Sequence, residues 1–402
     1  MNSRTKFFVV FASMSLVVLL LIGAVMGKSA PPEGPYRHLS VFTDVLSRIK
    51  SEYVEEPNMK MVTVGAVTGL LESLDPFASY LNADQFKDYL KKKDGPLGEV
   101  GLLLSKRSGL LAVVGTIPGS PAAQASIAVG DWLESIRGIS TRDMPLAYAE
   151  ILLKGDPGST VDLSVFRARR PDPQKMTLTR AEIKFPDVKT EMLAGNTGYL
   201  RVESLENGKL NQISSAVKQL QTNGAQKLLL DLRNCAAGPP EDGWALANLF
   251  VDKGMLGYTQ GQRVPRKNYE ADPAKSVSRL PLRVVVNRGT AGASEIAAAA
   301  LMETKRAEIV GERTQQVGSI LRTIPIDDGG AVILSVAKFY TPSGKAIPET
   351  GVTPTINKPE PQQQVDYDEN GNPLNEAPTP EKAENLGRRL ATYLESIISD
   401  WK

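Results

Sequence analysis

Lys227-Leu228-Leu229-Leu230-Asp231-Leu232-Arg233-Asn234 is the stretch on which the fold turns. An unbroken apolar run of this length, closed by charged residues, reads as a strand buried on both faces. Such strands belong to sheets covered by helices on either side. Working outward, residues 198–202 form another strand. Residues 210–220 carry Ile213, Val217 and Leu220 at helical spacing. Downstream, 244–250 reads as helix, 282–286 as a second buried strand, and 293–302 as an alanine-rich helix. Strands at 320–324 and 331–339 follow. Alternating strands and helices predict a layered α/β domain over 182–358. Beyond it, 359–380 is a polar linker, and 381–402 is a helix with Leu386, Leu390, Leu394 and Ile397 on one face.

Upstream of the α/β half the pattern changes. Residues 97–180 hold short apolar strands broken by Gly109, Pro118-Gly119-Ser120-Pro121 and Gly130-Asp131, with a helix at 145–153 opened by Pro145. Residues 37–94 read as helices. Leu39, Phe42, Val45, Leu46 and Ile49 mark one face, Met61, Val64, Val67, Leu70 and Leu71 another, and Asp75-Pro76 is a break. Asn82 is placed to cap a short helix. Residues 1–28 begin with Arg4 and Lys6, followed by an apolar run from Phe7 to Met26. That run is long enough to span a bilayer as an anchor, and its basic flank keeps the start inside and exports the body. A cleaved signal segment is the alternative, with the same consequence for the rest of the chain.

Composition narrows the chemistry. The 402 residues include 42% hydrophobic and 23% charged residues and carry a formal net charge of +2. That balance leaves no electrostatic footprint for nucleic acid. One cysteine, Cys235, and one histidine, His38, leave no intramolecular disulfide and no ordinary zinc ligand set, and nothing calls for a cofactor. Histidine-based hydrolysis would have to use His38, far in sequence from any catalytic-looking region.

Several motifs then resemble known families. Gly98-Glu99-Val100-Gly101-Leu102, Gly119-Ser120-Pro121-Ala122-Ala123 and Val129-Gly130-Asp131 resemble a PDZ domain over 97–180. Where those domains usually carry Ala-Gly-Leu, this chain has Ala125-Ser126-Ile127. Leu230-Asp231-Leu232-Arg233-Asn234, Ala293-Ser294-Glu295-Ile296, Val310-Gly311-Glu312 and Tyr340-Thr341-Pro342-Ser343-Gly344 resemble the carboxy-terminal processing (tail-specific) proteases, as do Leu74-Asp75-Pro76 and Ser79-Tyr80-Leu81. The expected fold class is an α+β / α/β multidomain chain: an N-terminal helical segment, a PDZ β-barrel-like domain and a layered α/β protease-type domain.

The resemblance implies a serine nucleophile, a lysine general base and an orienting glutamine. At those positions this chain has Gly292, Val317 and Leu321, so none of the three is intact, and the two apolar residues suit a closed apolar pocket. The run Cys235-Ala236-Ala237-Gly238 departs from the family's Asn-Pro-Gly-Gly, which puts oxyanion stabilisation in doubt. Ser294 and Ser319 are weak alternative nucleophiles, with Lys305, Lys338 and Lys345 as nearby cations, and Cys235 a weaker alternative still. The PDZ resemblance implies capture of peptide or protein C-termini by Gly98, Val100, Gly101, Leu102, Leu104, Leu146, Ala147 and Ile151. The expectation is an exported pseudoprotease that binds without cutting, anchored in the membrane and periplasmic if the source is a Gram-negative bacterium. Alternatives are an active serine-type endopeptidase with a displaced Ser/Lys dyad, and a structural adaptor or partner of an active homologue. Homo- or hetero-oligomers fit either.

Overall fold

The computed structural model describes residues 14, 37–93, 98–107, 109–142, 144–167, 172–206, 208–361 and 380–401. Apart from Met14, the apolar run at 7–26 lies outside them, as does most of the polar linker. No helix of the described residues is long and apolar enough to cross a membrane. The chain divides into two compact units, Met1–Ala66 and Val67–Lys402.

In chain order the elements are α1 (Arg37–Glu52), α2 (Met59–Glu72), β1 (Ser79–Leu81), α3 (Ala83–Lys93), β2 (Leu102–Arg107), β3 (Leu110–Thr116), α4 (Pro121–Gln124), β4 (Trp132–Ile136), β5 (Ile139–Ser140), α5 (Leu146–Leu153), β6 (Thr160–Phe166) and β7 (Gln174–Thr179). Then come β8 (Lys189–Leu193), β9 (Thr197–Arg201), α6 (Lys209–Thr222), β10 (Lys227–Asp231), α7 (Pro240–Asn248), β11 (Met255–Gln260), β12 (Lys267–Glu270) and β13 (Leu282–Val286). The series closes with α8 (Ala293–Glu303), β14 (Ala307–Gly311), β15 (Ser319–Pro325), β16 (Ala331–Tyr340), α9 (Ile347–Thr350), β17 (Ile356–Asn357) and α10 (Pro380–Ser399).

The leucine-rich run is strand β10, inside a six-stranded sheet of order β17-β14-β13-β10-β9-β8. Strands β9, β10, β13, β14 and β17 run parallel, and β8 closes the edge antiparallel. Alternate side chains explain why the whole run is apolar. Leu228, Leu230 and Leu232 join the core under α6, α7 and α8. Leu229, between them, joins Val285 and Val310 on the other face under Tyr393, Ile397 and Ile398 of α10.

A second sheet is built on β16, which pairs antiparallel with β1, β11 and β15. Among the described residues β15 pairs with β16 alone, so its outer edge is open. Ile320, Leu321 and Ile324 on it are exposed. The third sheet, β2-β3-β4-β6-β7 with β5 on β4, wraps α5 around its own core of Val100, Leu104, Leu111, Leu133, Val165 and Leu146.

Local expectations are met at several points. Asn82 caps α3 through a capping box: its Oδ1 accepts from Gln85 N–H at 3.0 Å, and its own N–H donates to Gln85 Oε1 at 3.0 Å. Ser126 takes the left-handed conformation that a glycine would favour, with φ 55°. Helix α7 ends at Asn248, two residues before the sequence pattern suggests, and Phe250 turns into the core. The face of α1 bearing Leu39, Phe42 and Val45 is exposed.

Candidate active site

Gly292 lies just beyond the carboxyl end of β13, at the cap of α8. Its backbone is left-handed in φ, with φ 60° and ψ −119°. A Cβ built there would have open space, its nearest neighbour being the Ala236 carbonyl oxygen at 4.0 Å. The position therefore has room for a side chain, but in a backbone that strains any L residue.

Glu295, one turn into α8, ties this position to Val317. Its carboxylate is fully buried. Oε2 accepts from the N–H groups of Gly292 (3.0 Å) and Val317 (2.8 Å). Oε1 accepts from the Thr314 hydroxyl (2.5 Å) and the Gln316 N–H (2.7 Å). Thr314 in turn accepts from Val352 N–H at 2.9 Å, which carries the network to the turn after α9. Burial pushes the Glu295 carboxyl up to about 7, against the lowering by its donors Thr314, Gln316, Val317 and Gly292. The loop 314–317 is thus folded onto the start of α8, and Gln316 at its apex has φ 73°.

Val317 is half-buried, whereas Leu321 is 46% exposed on β15. The expectation of one closed apolar pocket around both fails at Leu321. Leu321 lies on β15, which among the described residues has β16 as its one paired neighbour, so no second strand flanks it.

The alternative groups are distributed unfavourably for chemistry. Ser294 is 1% exposed, inside the α8 core rather than at a surface a substrate reaches. Ser319 opens β15 opposite Lys338. Lys338, however, sits 2.6 Å from Glu349, and that hydrogen bond raises its pKa, the opposite of what a general base requires. Lys345 lies 3.8 Å from Glu303 and is exposed, and Lys305 is exposed at the end of α8. Cys235 is fully buried, and burial pushes its thiol up to about 12, which leaves it inert. The backbone of 235–238 is committed to structure. The Cys235 carbonyl accepts from Ala291 N–H and the Ala237 carbonyl from Leu205 N–H.

Asp231 and Arg233, at the end of the decisive strand, serve as scaffold. The Arg233 guanidinium donates to both Asp231 oxygens, Arg201 lies 2.8 Å from Oδ1, and the Tyr199 hydroxyl donates to Oδ2 at 2.8 Å. Although burial opposes ionisation, Arg201 and Arg233 hold the carboxyl down at about 2. Beside this cluster a cavity of about 690 Å³ is lined by Arg201, Glu203, Arg233, Glu360 and Leu394, among others. Neither Glu295's clamp nor this cluster was visible in the sequence, where each residue read as part of a motif rather than as a partner.

In the third sheet β2 is an end strand among the described residues, and α5 packs against it. Val100, Leu104, Leu146, Ala147 and Ile151 are buried, Leu102 half-buried. The loop before β2 is bridged on both sides, Gly98 to Gly155 and Glu99 to Ala181. Gly98 and Gly101 are required by close packing. A Cβ at Gly98 would meet Pro157 at 2.9 Å, and one at Gly101 would meet Ser120. Arg180 closes the far end of α5, donating to the carbonyls of Leu152 (3.0 Å), Leu153 (2.8 Å) and Thr160 (2.7 Å).

Comparison with known proteins gives concordant results. Residues 196–358 match the profile described as Peptidase family S41, and 113–167 match a PDZ domain. A carboxy-terminal-processing protease of Bartonella bacilliformis is 31% identical over 92% of this chain and 86% of its own length. The carboxy-terminal processing protease CtpA of Bacillus subtilis is 29% identical over 85% and 74%. Among solved structures, the photosystem II D1 C-terminal processing protease superposes with a TM-score of 0.66 at 28% identity, covering 85% of this chain and 92% of that one.

Proposed function

This chain belongs to the carboxy-terminal processing proteases of peptidase family S41, and from that membership we propose that it is a pseudoprotease that captures peptide or protein C-termini through its PDZ domain without cutting them. The observation that carries the reading is Gly292. The position that family resemblance assigns to the nucleophile has no side chain, and the neighbouring base position, Val317, is apolar. A serine hydroxyl attacks a peptide carbonyl only when a base takes its proton, and here both partners are missing. The lysines nearby do not substitute, since Lys338 and Lys345 face carboxylates.

Capture would use the open edge of β2. An extended peptide adds there as a strand, its last side chain entering the apolar space between Leu104 and Leu146. The apolar run at 7–26 supports export with a membrane anchor. Deleting residues 1–36 should then release the protein from the membrane fraction. The exposed apolar face of α1 supports self-association.

The test is direct. Purified protein incubated with casein should leave it intact, and a C-terminal peptide library should yield binders. Cleavage that disappears in Ser294→Ala or Ser319→Ala would replace this reading by a displaced dyad. Absence of any binder would leave the adaptor role.

A further inference from the structure

The chain's own segment Glu72-Ser73-Leu74-Asp75-Pro76-Phe77 meets this domain at β2 and at the apolar cluster that β2 shares with α5, the two elements that would flank a captured peptide. At one end, Glu72 forms an ion pair with Lys106 on β2. Lys106 is 5% exposed, so its charge is met inside the protein rather than by water. At the other end, the strand that follows is fixed to α5. Leu81 packs with Ala147 of α5 and Ile333, and Lys92 donates to the carbonyls of Ile151 (3.1 Å) and Lys154 (3.3 Å). The segment and the elements that follow it are therefore tied to β2 on one side and to α5 on the other. Between the ties, Phe77 packs against the core cluster that contains Leu104 of β2 and Leu146 of α5. The bend that presents it is held by Asp75, whose Oδ1 accepts from the N–H groups of Phe77 and Ala78, each at 2.8 Å.

We propose that Glu72–Phe77 is a built-in pseudo-ligand of the PDZ groove, and that external ligands share its chemistry: an aromatic residue for the apolar site, with an acidic residue upstream for Lys106. This rests on the reading of the domain as a peptide-capture module and names the class of peptide captured. A tethered occupant competes at high effective concentration. The apparent affinity for a free peptide falls by the fraction of molecules whose groove is open. A buried lysine left without an acid would be costly, so a ligand that displaces Glu72 has to bring one.

The experiment uses the full chain and a fluorescent peptide, Glu-Ser-Leu-Asp-Pro-Phe with a free carboxylate. Binding is measured by anisotropy to the wild type, to Phe77→Ala and to Glu72→Gln, with circular dichroism checking the fold of each. Opening the groove should tighten binding about tenfold or more in Phe77→Ala and several-fold in Glu72→Gln. Glu72→Gln changes a half-exposed side chain, so it remains informative if Phe77→Ala does not fold. A library-selected C-terminal peptide that binds all three proteins equally would overturn the pseudo-ligand while leaving peptide capture standing. No binding of any peptide to any of the three would overturn both.

Discussion

The backbone N–H of Val317 points at Glu295 Oε2 from 2.8 Å, and the same oxygen receives the N–H of Gly292 at 3.0 Å. One buried carboxylate thus holds two positions that lie 25 residues apart in sequence (317 − 292). It does so with backbone donors, so the arrangement does not depend on which side chains those positions carry.

Replacing Glu295 by Gln turns an acceptor into an amide whose NH₂ must face an N–H or hydroxyl donor. The expected cost is about 1–3 kcal/mol, seen as a lower melting temperature. The pH dependence carries a distinct sign. The folded carboxyl titrates at about 7 rather than 4.5. Between those values the unfolded chain loses its proton first, so wild-type stability falls as pH rises from 4.5 to 7. Glu295→Gln should lack that part of the slope. Parallel slopes for the two proteins in thermal melts across this window would rule the assignment out.

Restoring Gly292→Ser, Val317→Lys and Leu321→Gln together tests whether the scaffold still supports peptide hydrolysis. Space around Gly292 admits the hydroxyl. Its φ of 60° with ψ −119° is a sparsely populated region that imposes about 1–3 kcal/mol of strain on a serine. Gly292→Ser alone should therefore lower the melting temperature by a few degrees and give no casein cleavage. The triple variant should give slow cleavage. Turnover by the single variant would mean that another group supplies the base.

Asp231→Asn should cost about 3–5 kcal/mol, because Arg201 and Arg233 would be left buried against a neutral amide. In the wild type this carboxyl titrates at about 2 in the folded chain against 3.8 ordinarily. Its contribution is complete above 3.8 and is lost as pH falls through 2. Acid unfolding monitored by tryptophan fluorescence should begin at higher pH in the variant.

Arg180→Lys keeps the charge but loses the fork that reaches Leu152, Leu153 and Thr160 together. A loss of about 2–3 kcal/mol is expected, confined to the third sheet and α5. Hydrogen exchange should quicken in α5 while β10 and β13 stay protected. Uniform loss of protection would show that the two regions unfold together.

How legible all this was depends on what each element packs against. Strands β10 and β13 could be read directly because both faces are buried. The PDZ loop and α5 were carried by glycine and proline positions. Strands β8 and β12 went unread, since most of their residues face solvent and are polar. Strand β11 is interrupted by Gly257, and it is held by partners remote in sequence, with Tyr258 stacked on Tyr340 at 4.8 Å. Glu295 could not be recognised as a clamp because three of its four donors come from a loop 19–22 residues away. Leu321 misled for a related reason: hydrophobicity states what a side chain prefers, and only the sheet shows which strand has a neighbour.

That strand has a practical consequence. Among the described residues no strand pairs with the outer rim of β15, which is flanked by Ile320, Leu321 and Ile324, with Arg322 the charged side chain among them. Open rims of this composition recruit further strands, so concentrated solutions should tend to cloud or form edge-to-edge clusters. A lysine at position 321 or 324, in place of the aliphatic residue, is the simplest remedy for handling the protein.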